Sequence, residues 1–136
     1  MKLLLDTHIM KLLLDTHIFL WFISGEQGLP IHLQNSIRDL NNDVYLSYIS
    51  VWQVTVKYQL GKLSLPASSE IYLPKQRQQH LIRSLNLEEE RVAQLLNLPL
   101  LHRCPFDIML ICQALQHNLT IVTLYPAIRA YSINVL

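Results

Sequence analysis

The sequence predicts one α/β domain built on a central parallel sheet with helices on both faces. Its 136 residues are the usual size of a single domain, and a content of 51% apolar against 15% charged residues excludes a disordered chain. Short apolar runs alternate with segments of helical periodicity, and no linker of different composition separates them. Strands that alternate with helices pair in parallel, because each helix returns the chain to the end of the sheet where the previous strand began.

The predicted strands are short runs of apolar and β-branched residues, at 11–14, 44–47, 120–123 and 133–136. The predicted helices have apolar residues three or four positions apart, and they follow Asp15, Pro30, Ser50, Asn86 and Pro105, with a last helical turn at 127–131. The helix after Pro105 is expected to end at Asn118. The apolar residues expected to face the core include Leu33, Ile37, Leu40, Val92 and Leu115.

Two helix boundaries and one interruption can be predicted from local chemistry. Ser50 and Gln53 match a capping box, in which both side chains bond backbone N–H groups at the start of a helix. Gly61 suits the end of that helix, because glycine adopts the left-handed conformation without a steric penalty. Pro74 interrupts a polar stretch at 66–80, where we expect a broken helix or a loop.

The N-terminus contains a perfect repeat, because residues 1–9 recur unchanged as 10–18. Nine residues are too few for a solenoid unit of at least ~20 residues, so an in-frame duplication or an artefact is the simpler interpretation. Only the second copy runs directly into the apolar helix, so we interpret 10–136 as the domain and Asp15 as its first functional acid, with Asp6 as its duplicate. The first copy could form an edge strand, pair with a partner chain or displace the second copy.

Charge and cysteine content narrow the class of protein. The net charge of +1, from 11 basic and 10 acidic residues, gives no overall attraction to nucleic acid, so any RNA contact must be local. Cys104 and Cys112 lie too far apart on one predicted helix to form a disulfide, which favours the reducing cytoplasm. No apolar run approaches the ~20 residues of a membrane span, and no signal peptide is predicted.

Two acidic residues lie where a parallel sheet binds ligands, beyond the carboxyl ends of its strands. Asp15 follows the first strand, and Asp107 lies in the first turn of the late helix. Acids that converge from different strand ends can hold Mg²⁺ or Mn²⁺, which activates a water molecule against a phosphodiester. The structural alternatives are a strand-end turn for Asp15 and a favourable helix-dipole contact for Asp107.

Four segments together resemble the PIN-domain family, and specifically the VapC-like toxins of toxin–antitoxin pairs. They are LLLDTHIFLWFISG, LSYISVWQVTVKYQLGKLSLP, LPLLHRCPFDIMLICQAL and NLTIVTLYPAIRAYSINVL, which cover most of the chain from Met10 to Leu136. The resemblance implies a Rossmann-like sheet, a homodimer, a VapB-like antitoxin partner, a cytoplasmic location and RNA cleavage that depends on Mg²⁺ or Mn²⁺.

The resemblance also identifies five acidic positions, of which this chain keeps two, as Asp15 and Asp107. The other three are occupied by Gln53, Cys104 and Tyr125. The loss of three negative charges predicts weak metal binding and impaired catalysis. Tyr125 is expected to close the pocket. Cys104 and His102 together are too few ligands for a zinc site.

Three interpretations of function therefore remain open. The chain is a working or weakened ribonuclease toxin, a non-catalytic module that engages an antitoxin or dimerises, or a decaying gene product. The basic residues that could face an RNA backbone are Lys57, Lys62, Arg103 and Arg129, although a solvated surface role is the default for each. Trp21, Trp52 and His17 are expected to pack structurally.

Overall fold

The computed structural model describes residues 10–25, 28–93, 98 and 104–136 of the chain. Its strands are β1 (Lys11–Leu14), β2 (Asp43–Ser47), β3 (Arg83–Leu85) and β4 (Thr120–Val122). Its helices are α1 (Thr16–Ser24), α2 (Ile31–Arg38), α3 (Tyr48–Gln59), α4 (Ser69–Gln79), α5 (Glu89–Ala93), α6 (Pro105–His117) and α7 (Pro126–Arg129).

The four strands form one parallel sheet in the order β3-β2-β1-β4. Leu12 of β1 is in register with Val44 on one side and Thr120 on the other, so β1 is hydrogen-bonded on both edges. The prediction of a parallel α/β fold is confirmed. The second copy of the repeat forms the central strand, and the first copy, with Asp6, lies outside the described residues.

The sheet has an apolar layer on each face because side chains alternate along a strand. Leu12 and Leu14 pack in one core layer with residues of α1 such as Phe19. Leu13 faces the other layer, which contains Ile111 of α6. These three leucines have no exposed surface, and burial of each contributes about 1.5–3 kcal/mol to stability. The uninterrupted run of leucines is therefore what a strand covered on both faces requires.

Several helices are followed by a residue in the left-handed conformation. Gly25 follows α1 with φ 70°, Gly61 lies beyond α3 with φ 74°, and Asn118 follows α6 with φ 54°. The predicted ends at Gly61 and Asn118 are thereby confirmed. Beyond α4 the left-handed residue is Leu81, with φ 57°. This conformation is strained for leucine, because its Cβ atom crowds the neighbouring backbone carbonyl.

The predicted capping box at Ser50 is wrong. Helix α3 begins at Tyr48, and the Ser47 hydroxyl caps it by accepting from the Ile49 N–H at 3.0 Å. Strand β2 runs directly into α3, so the last residue of the strand serves as the cap. Ser50 and Gln53 consequently lie inside the helix, where their side chains contact α1 instead of capping α3.

The structure also corrects the prediction around Pro74, because α4 is one continuous helix through that residue. Proline removes one backbone hydrogen bond, and the burial of Leu73, which is 1% exposed, holds the helix to the core. Strand β3 was not predicted at all. The expected strand at 133–136 is reduced to a single bridge between Ile121 and Val135.

Five residues expected to be buried are exposed, one of which is Leu115 at 39%. Leu40 is 83% exposed, Val92 is 42% exposed, and His17 lies on the surface. Trp52 is 58% exposed and packs edge-on against Phe106, with ring centroids 5.1 Å apart. Within the described segments, no helix combines the length and apolar character needed to cross a membrane.

Candidate functional site

A cleft of about 860 Å³ opens at the carboxyl ends of β1 and β4. The five positions identified from the sequence all line it, namely Asp15, Gln53, Cys104, Asp107 and Tyr125. The fold thus brings together residues that are up to 110 positions apart, from four different segments. Their location is that of ligand sites in open parallel sheets.

Asp15 is held in place by hydrogen bonds to both carboxylate oxygens. Its Oδ1 atom accepts from the Ile18 N–H at 2.7 Å, which makes Asp15 the N-cap of α1. Its Oδ2 atom accepts from the Thr123 hydroxyl. Asp15 is only 5% exposed, so its carboxylate is a fixed and largely desolvated group at the base of the cleft.

Burial raises the pKa of Asp15 above its ordinary value. The hydrogen bonds from Thr123 and Ile18 and the charge of His17 oppose this increase, whereas the negative charge of Asp107 adds to it. Asp15 and Asp107 are therefore close enough for their charges to interact. A cation between the two carboxylates would relieve both the desolvation and the repulsion.

Thr123 connects the Asp15 carboxylate to the C-terminal part of the fold. The Thr123 hydroxyl accepts from the Tyr125 N–H at 3.0 Å while donating to Asp15. The Thr123 carbonyl accepts from Nη1 of Arg129 at 3.0 Å, and the same nitrogen lies 3.3 Å from the carbonyl of Leu136. The Arg129 guanidinium, considered above for RNA, is thus engaged by backbone carbonyls.

Gln53 belongs to a polar cluster between α3 and α1. The Thr16 hydroxyl donates to Oε1 of Gln53 at 2.7 Å and lies 2.9 Å from the Ser50 hydroxyl. A carboxylate at position 53 could accept the same hydrogen bond from Thr16. The glutamine therefore preserves the contact between the helices and removes a negative charge from the cleft.

The remaining predicted positions lie at the starts of α6 and α7. Cys104 is the residue before α6 and carries a free thiol, and Asp107 lies in the first turn of that helix. Tyr125 precedes α7 and is 47% exposed. Tyr125 lines the cleft, and that it closes the pocket stays a prediction.

Asp15 and Asp107 are suitable ligands for a divalent cation that is bound weakly. No group of three histidine, cysteine, aspartate or glutamate residues within the described part of the chain is arranged to hold a metal ion. Mg²⁺ can be bound by one or two carboxylates when water completes its octahedron. Two carboxylates and the amide oxygen of Gln53 are a hard-oxygen donor set of this kind, with fewer charges than a tight site requires.

Sequence reasoning missed two residues of this site, His17 and Thr123. His17 is exposed, lines the cleft and is two positions from Asp15, so its location at a strand end was the available signal. Thr123 is fully buried and follows β4 directly. Nothing in the local sequence indicated that its hydroxyl would bond a residue 108 positions away.

The other half of the cleft is apolar. Its lining residues include Leu20, Trp21, Leu63, Leu65, Pro66 and Tyr72, contributed by α1, α4 and the segment before α4. No lysine or arginine is among the described residues that line the cleft. The cleft therefore combines a carboxylate end with an apolar groove.

The chain belongs to the PIN domain family, whose family model matches residues 12–130. Ribonuclease VapC16 from Mycobacterium tuberculosis is 40% identical over 38 residues, so the match spans only 28% of this chain and 27% of that protein.

The fold is similar to that in the crystal structure of VapBC2 from Rickettsia felis bound to a promoter DNA fragment, with a TM-score of 0.64 and 16% identity over 93% of this chain and 98% of that one. It is equally similar to that in the crystal structure of FitAcB from Neisseria gonorrhoeae, with a TM-score of 0.64 and 21% identity over 92% of this chain and 96% of that one. At these identities the two structures establish the fold.

Proposed function

We propose that this chain is a VapC-like member of a toxin–antitoxin pair whose metal-dependent ribonuclease activity is weakened by the loss of three acidic residues. One observation carries the proposal: the five positions at which the family resemblance places acids converge on one cleft, where only Asp15 and Asp107 remain acidic. The names of the relatives support the assignment, because they include a ribonuclease and two-component VapBC assemblies.

Asp15 and Asp107 are the residues that would hold Mg²⁺ or Mn²⁺. The bound cation would supply an activated water molecule and neutralise charge on the phosphodiester. The Thr123 and Ile18 hydrogen bonds keep the Asp15 carboxylate in one orientation, so this ligand needs no rearrangement to bind. Gln53 cannot take a proton from water, so the chain lacks a general base at that position.

A VapB-like antitoxin is the proposed partner, and the apolar half of the cleft supports this choice. Leu63, Leu65 and Tyr72 lie beside Trp21 along the groove that leads to the carboxylates. Apolar grooves of this kind bind a peptide segment through its apolar side chains. A catalytically inactive module that binds an antitoxin is therefore the second candidate function, and it needs no metal.

Two further expectations remain part of this proposal. Residues 10–136 are the functional domain, and 1–9 are a duplicated segment. The free thiols of Cys104 and Cys112 agree with a cytoplasmic location, where cysteines stay reduced. Decay of the gene is the competing explanation of the lost acids, and it predicts neither RNA cleavage nor antitoxin binding.

The test is cleavage of mixed labelled RNA in Mg²⁺ and in Mn²⁺, with the chain beside a restored variant that combines Gln53→Glu, Cys104→Asp and Tyr125→Asp. An Asp107→Asn variant of each protein controls for contaminating nuclease. We expect strong cleavage from the restored variant and little from the chain itself. If both Asp107-containing proteins are inactive while they remain folded and bind Mn²⁺, the ribonuclease assignment is wrong.

A further inference from the structure

A second cleft of about 530 Å³ lies at the amino ends of β2 and β3, at the opposite end of the sheet from the carboxylates. Its lining includes Arg38 from the end of α2, Arg77 from α4 and Arg83 from the start of β3. We call it the arginine cleft. Its volume is that of a small-molecule site, and guanidinium groups from three different elements give it a cationic wall.

The Phe22 ring of α1 contacts two of the polar side chains that line the arginine cleft. The guanidinium carbon of Arg38 lies 5.5 Å from the centroid of this ring. The His80 ring packs edge-on against the same ring, with centroids 4.9 Å apart. Phe22 is buried in the core and is therefore fixed in position. These contacts orient Arg38 and His80 without neutralising a charge, which is how a preorganised site for an anion is built.

The positive charge of the arginine cleft is only partly neutralised within the chain. Nη2 of Arg83 lies 3.4 Å from Oδ1 of Asp43. The carboxylate of Asp39 also lines the cleft, and it accepts from the backbone N–H of the adjacent turn at 2.9 Å. No acid among the described residues forms an ion pair with Arg38 or Arg77. Within the described part of the chain, two guanidinium groups thus remain to bind an anion from outside.

The charge of the arginine cleft also acts on His80. Burial lowers the pKa of the His80 imidazole, and the positive charge of Arg38 lowers it further. The other charged groups that line the cleft are Arg77, Arg83, Asp39 and Asp43. An anion bound in the cleft would offset the charge of Arg38 and so raise the pKa of His80. His80 therefore provides a measurable signal of occupancy.

Two features of the lining favour a phosphate ester as the anion. A carboxylate is satisfied by the fork of one guanidinium group, whereas a terminal phosphate has three acceptor oxygens and a larger negative charge, so it can bind several such groups. Beside the arginines, Leu40 is 83% exposed and Leu81 is 69% exposed. These apolar side chains can contact the organic part of an ester, which inorganic phosphate lacks.

We propose that the arginine cleft binds a terminal phosphate monoester, with Arg38 and Arg77 as its guanidinium ligands and with Leu40 and Leu81 against its organic part. Two sources share this chemistry, a free nucleotide and the phosphorylated end of an RNA. A phosphodiester within a strand is a poorer occupant, because it carries a single charge and fewer free oxygens. The proposal does not rest on nuclease activity, because none of these four residues lines the carboxylate cleft.

Binding of adenosine 5′-monophosphate to the full chain tests the proposal. The measurements are calorimetry and proton NMR of the His80 ring, in low salt and with EDTA, so that no cation in the carboxylate cleft can hold the phosphate. We expect saturable binding and a rise in the pKa of His80, and we expect neither with adenosine, which has no phosphate. A His80→Gln variant identifies the His80 signal.

Removal of one guanidinium group should weaken this binding. Arg77→Gln should raise the dissociation constant at least about tenfold, because a hydrogen-bonded charge is lost from the ligand set. Lys75→Gln removes the same charge from an exposed position of α4 that does not line the cleft, so it should have little effect. Thermal unfolding of both variants checks that they fold alike.

Asp43→Asn should produce a gain of affinity, which a folding defect cannot imitate. It releases Arg83 from its ion pair and removes a negative charge from the cleft, so the nucleotide should bind severalfold more tightly. A short RNA with a 5′-phosphate, compared with the same RNA with a 5′-hydroxyl, distinguishes the two sources. Tighter binding than the nucleotide, dependent on the 5′-phosphate, identifies an RNA end as the ligand, and equal or weaker binding identifies a free nucleotide.

The proposal is overturned if adenosine 5′-monophosphate at about 10 mM neither releases heat nor shifts the His80 signal. It is also overturned if Arg77→Gln and Lys75→Gln bind the nucleotide equally well, or if acetate binds as tightly as the nucleotide does. None of these outcomes bears on RNA cleavage, so this proposal and the proposed nuclease function can fail separately.

Discussion

The Thr123 hydroxyl donates a hydrogen bond to Oδ2 of Asp15, so the side chain that follows β4 fixes the carboxylate that follows β1. The two residues are 108 positions apart in the chain and come together because β1 and β4 are neighbours in the sheet. Both are almost completely buried. Loss of a buried hydrogen bond of this kind destabilises the protein, because its partners cannot form hydrogen bonds with water instead.

Replacement of Thr123 by valine should destabilise the protein by about 1–3 kcal/mol, since it leaves Oδ2 of Asp15 and the Tyr125 N–H without their partner. It should also raise the pKa of Asp15, because the hydrogen bond that favours the carboxylate is gone. Urea unfolding measures the first effect and carboxyl ¹³C NMR titration the second. Thr123→Ser keeps the hydroxyl and should retain most of both properties. Equal behaviour of the valine and serine variants would contradict the assigned role.

The raised pKa of Asp15 makes stability depend on pH in a defined direction. The folded protein holds the Asp15 proton more tightly than the unfolded chain, whose value is near the reference of 3.8. The stabilisation from the bound proton is thus fully present below that value and is lost as the pH rises through the higher folded pKa. Asp15→Asn mimics the protonated acid and caps a helix equally well, so it should be more stable than the parent at pH 7.

The stability of both proteins would be measured by thermal unfolding between pH 3.5 and 7.5. The stability of the parent should fall relative to that of Asp15→Asn as the pH rises, because only the parent loses the Asp15 proton. Asp39→Asn is a useful control, because Asp39 is exposed and does not line the cleft that contains Asp15. If the stability of the parent and that of Asp15→Asn change with pH in the same way over this range, Asp15 is not desolvated.

Leu81→Gly should stabilise the monomer by about 1 kcal/mol, because leucine pays a steric cost in the left-handed conformation and glycine does not. Gly61→Leu is the opposite change at the equivalent position of α3. A Cβ atom there meets nothing within 4 Å, so the expected loss of about 1 kcal/mol comes from the backbone alone. Guanidinium unfolding at low protein concentration, where the monomer predominates, gives both values. Changes of the same sign in the two variants would refute this account.

Gln53→Glu should tighten Mn²⁺ binding by roughly tenfold or more, because a third carboxylate joins Asp15 and Asp107 in the cleft. The variant should fold normally, since the Thr16 hydroxyl can donate to a carboxylate as it does to the amide. Electron paramagnetic resonance of free Mn²⁺ measures the affinity. Gln59→Glu makes the same change at an exposed position on the same helix and should leave the affinity unaltered. A parallel increase in both variants would indicate nonspecific attraction by negative charge.

Those parts of the fold that depend on local patterns could be predicted from the sequence. The leucines of β1 form a run that only a strand buried on both faces accommodates, and Gly61 and Asn118 end helices for local conformational reasons. Asp15 and Asp107 could be placed at one site because parallel strands end at the same edge of the sheet. The shared cleft of all five predicted positions followed from the family resemblance rather than from spacing.

The parts that depend on distant contacts could not be predicted. Ser50 and Gln53 match a capping box in isolation, but Thr16 of another helix binds both side chains. Pro74 is accommodated because the neighbouring Leu73 is anchored in the core. Strand β3 has only three residues, and its pairing with β2 rather than its composition makes it a strand.

The repeated segment has a consequence for how the chain folds. Leu12 to Leu14 reach their places only by pairing with residues more than 30 and more than 100 positions later, and such non-local pairings form slowly. The identical leucines at 3–5 can compete for the same central place in the sheet. A molecule that captures the wrong copy cannot bury Phe19 and Phe22 of α1 in their native positions, so it must partly unfold before it reaches the native state. We therefore expect the duplication to act as a kinetic trap, and a chain without residues 1–9 should lose a slow refolding phase without losing native structure.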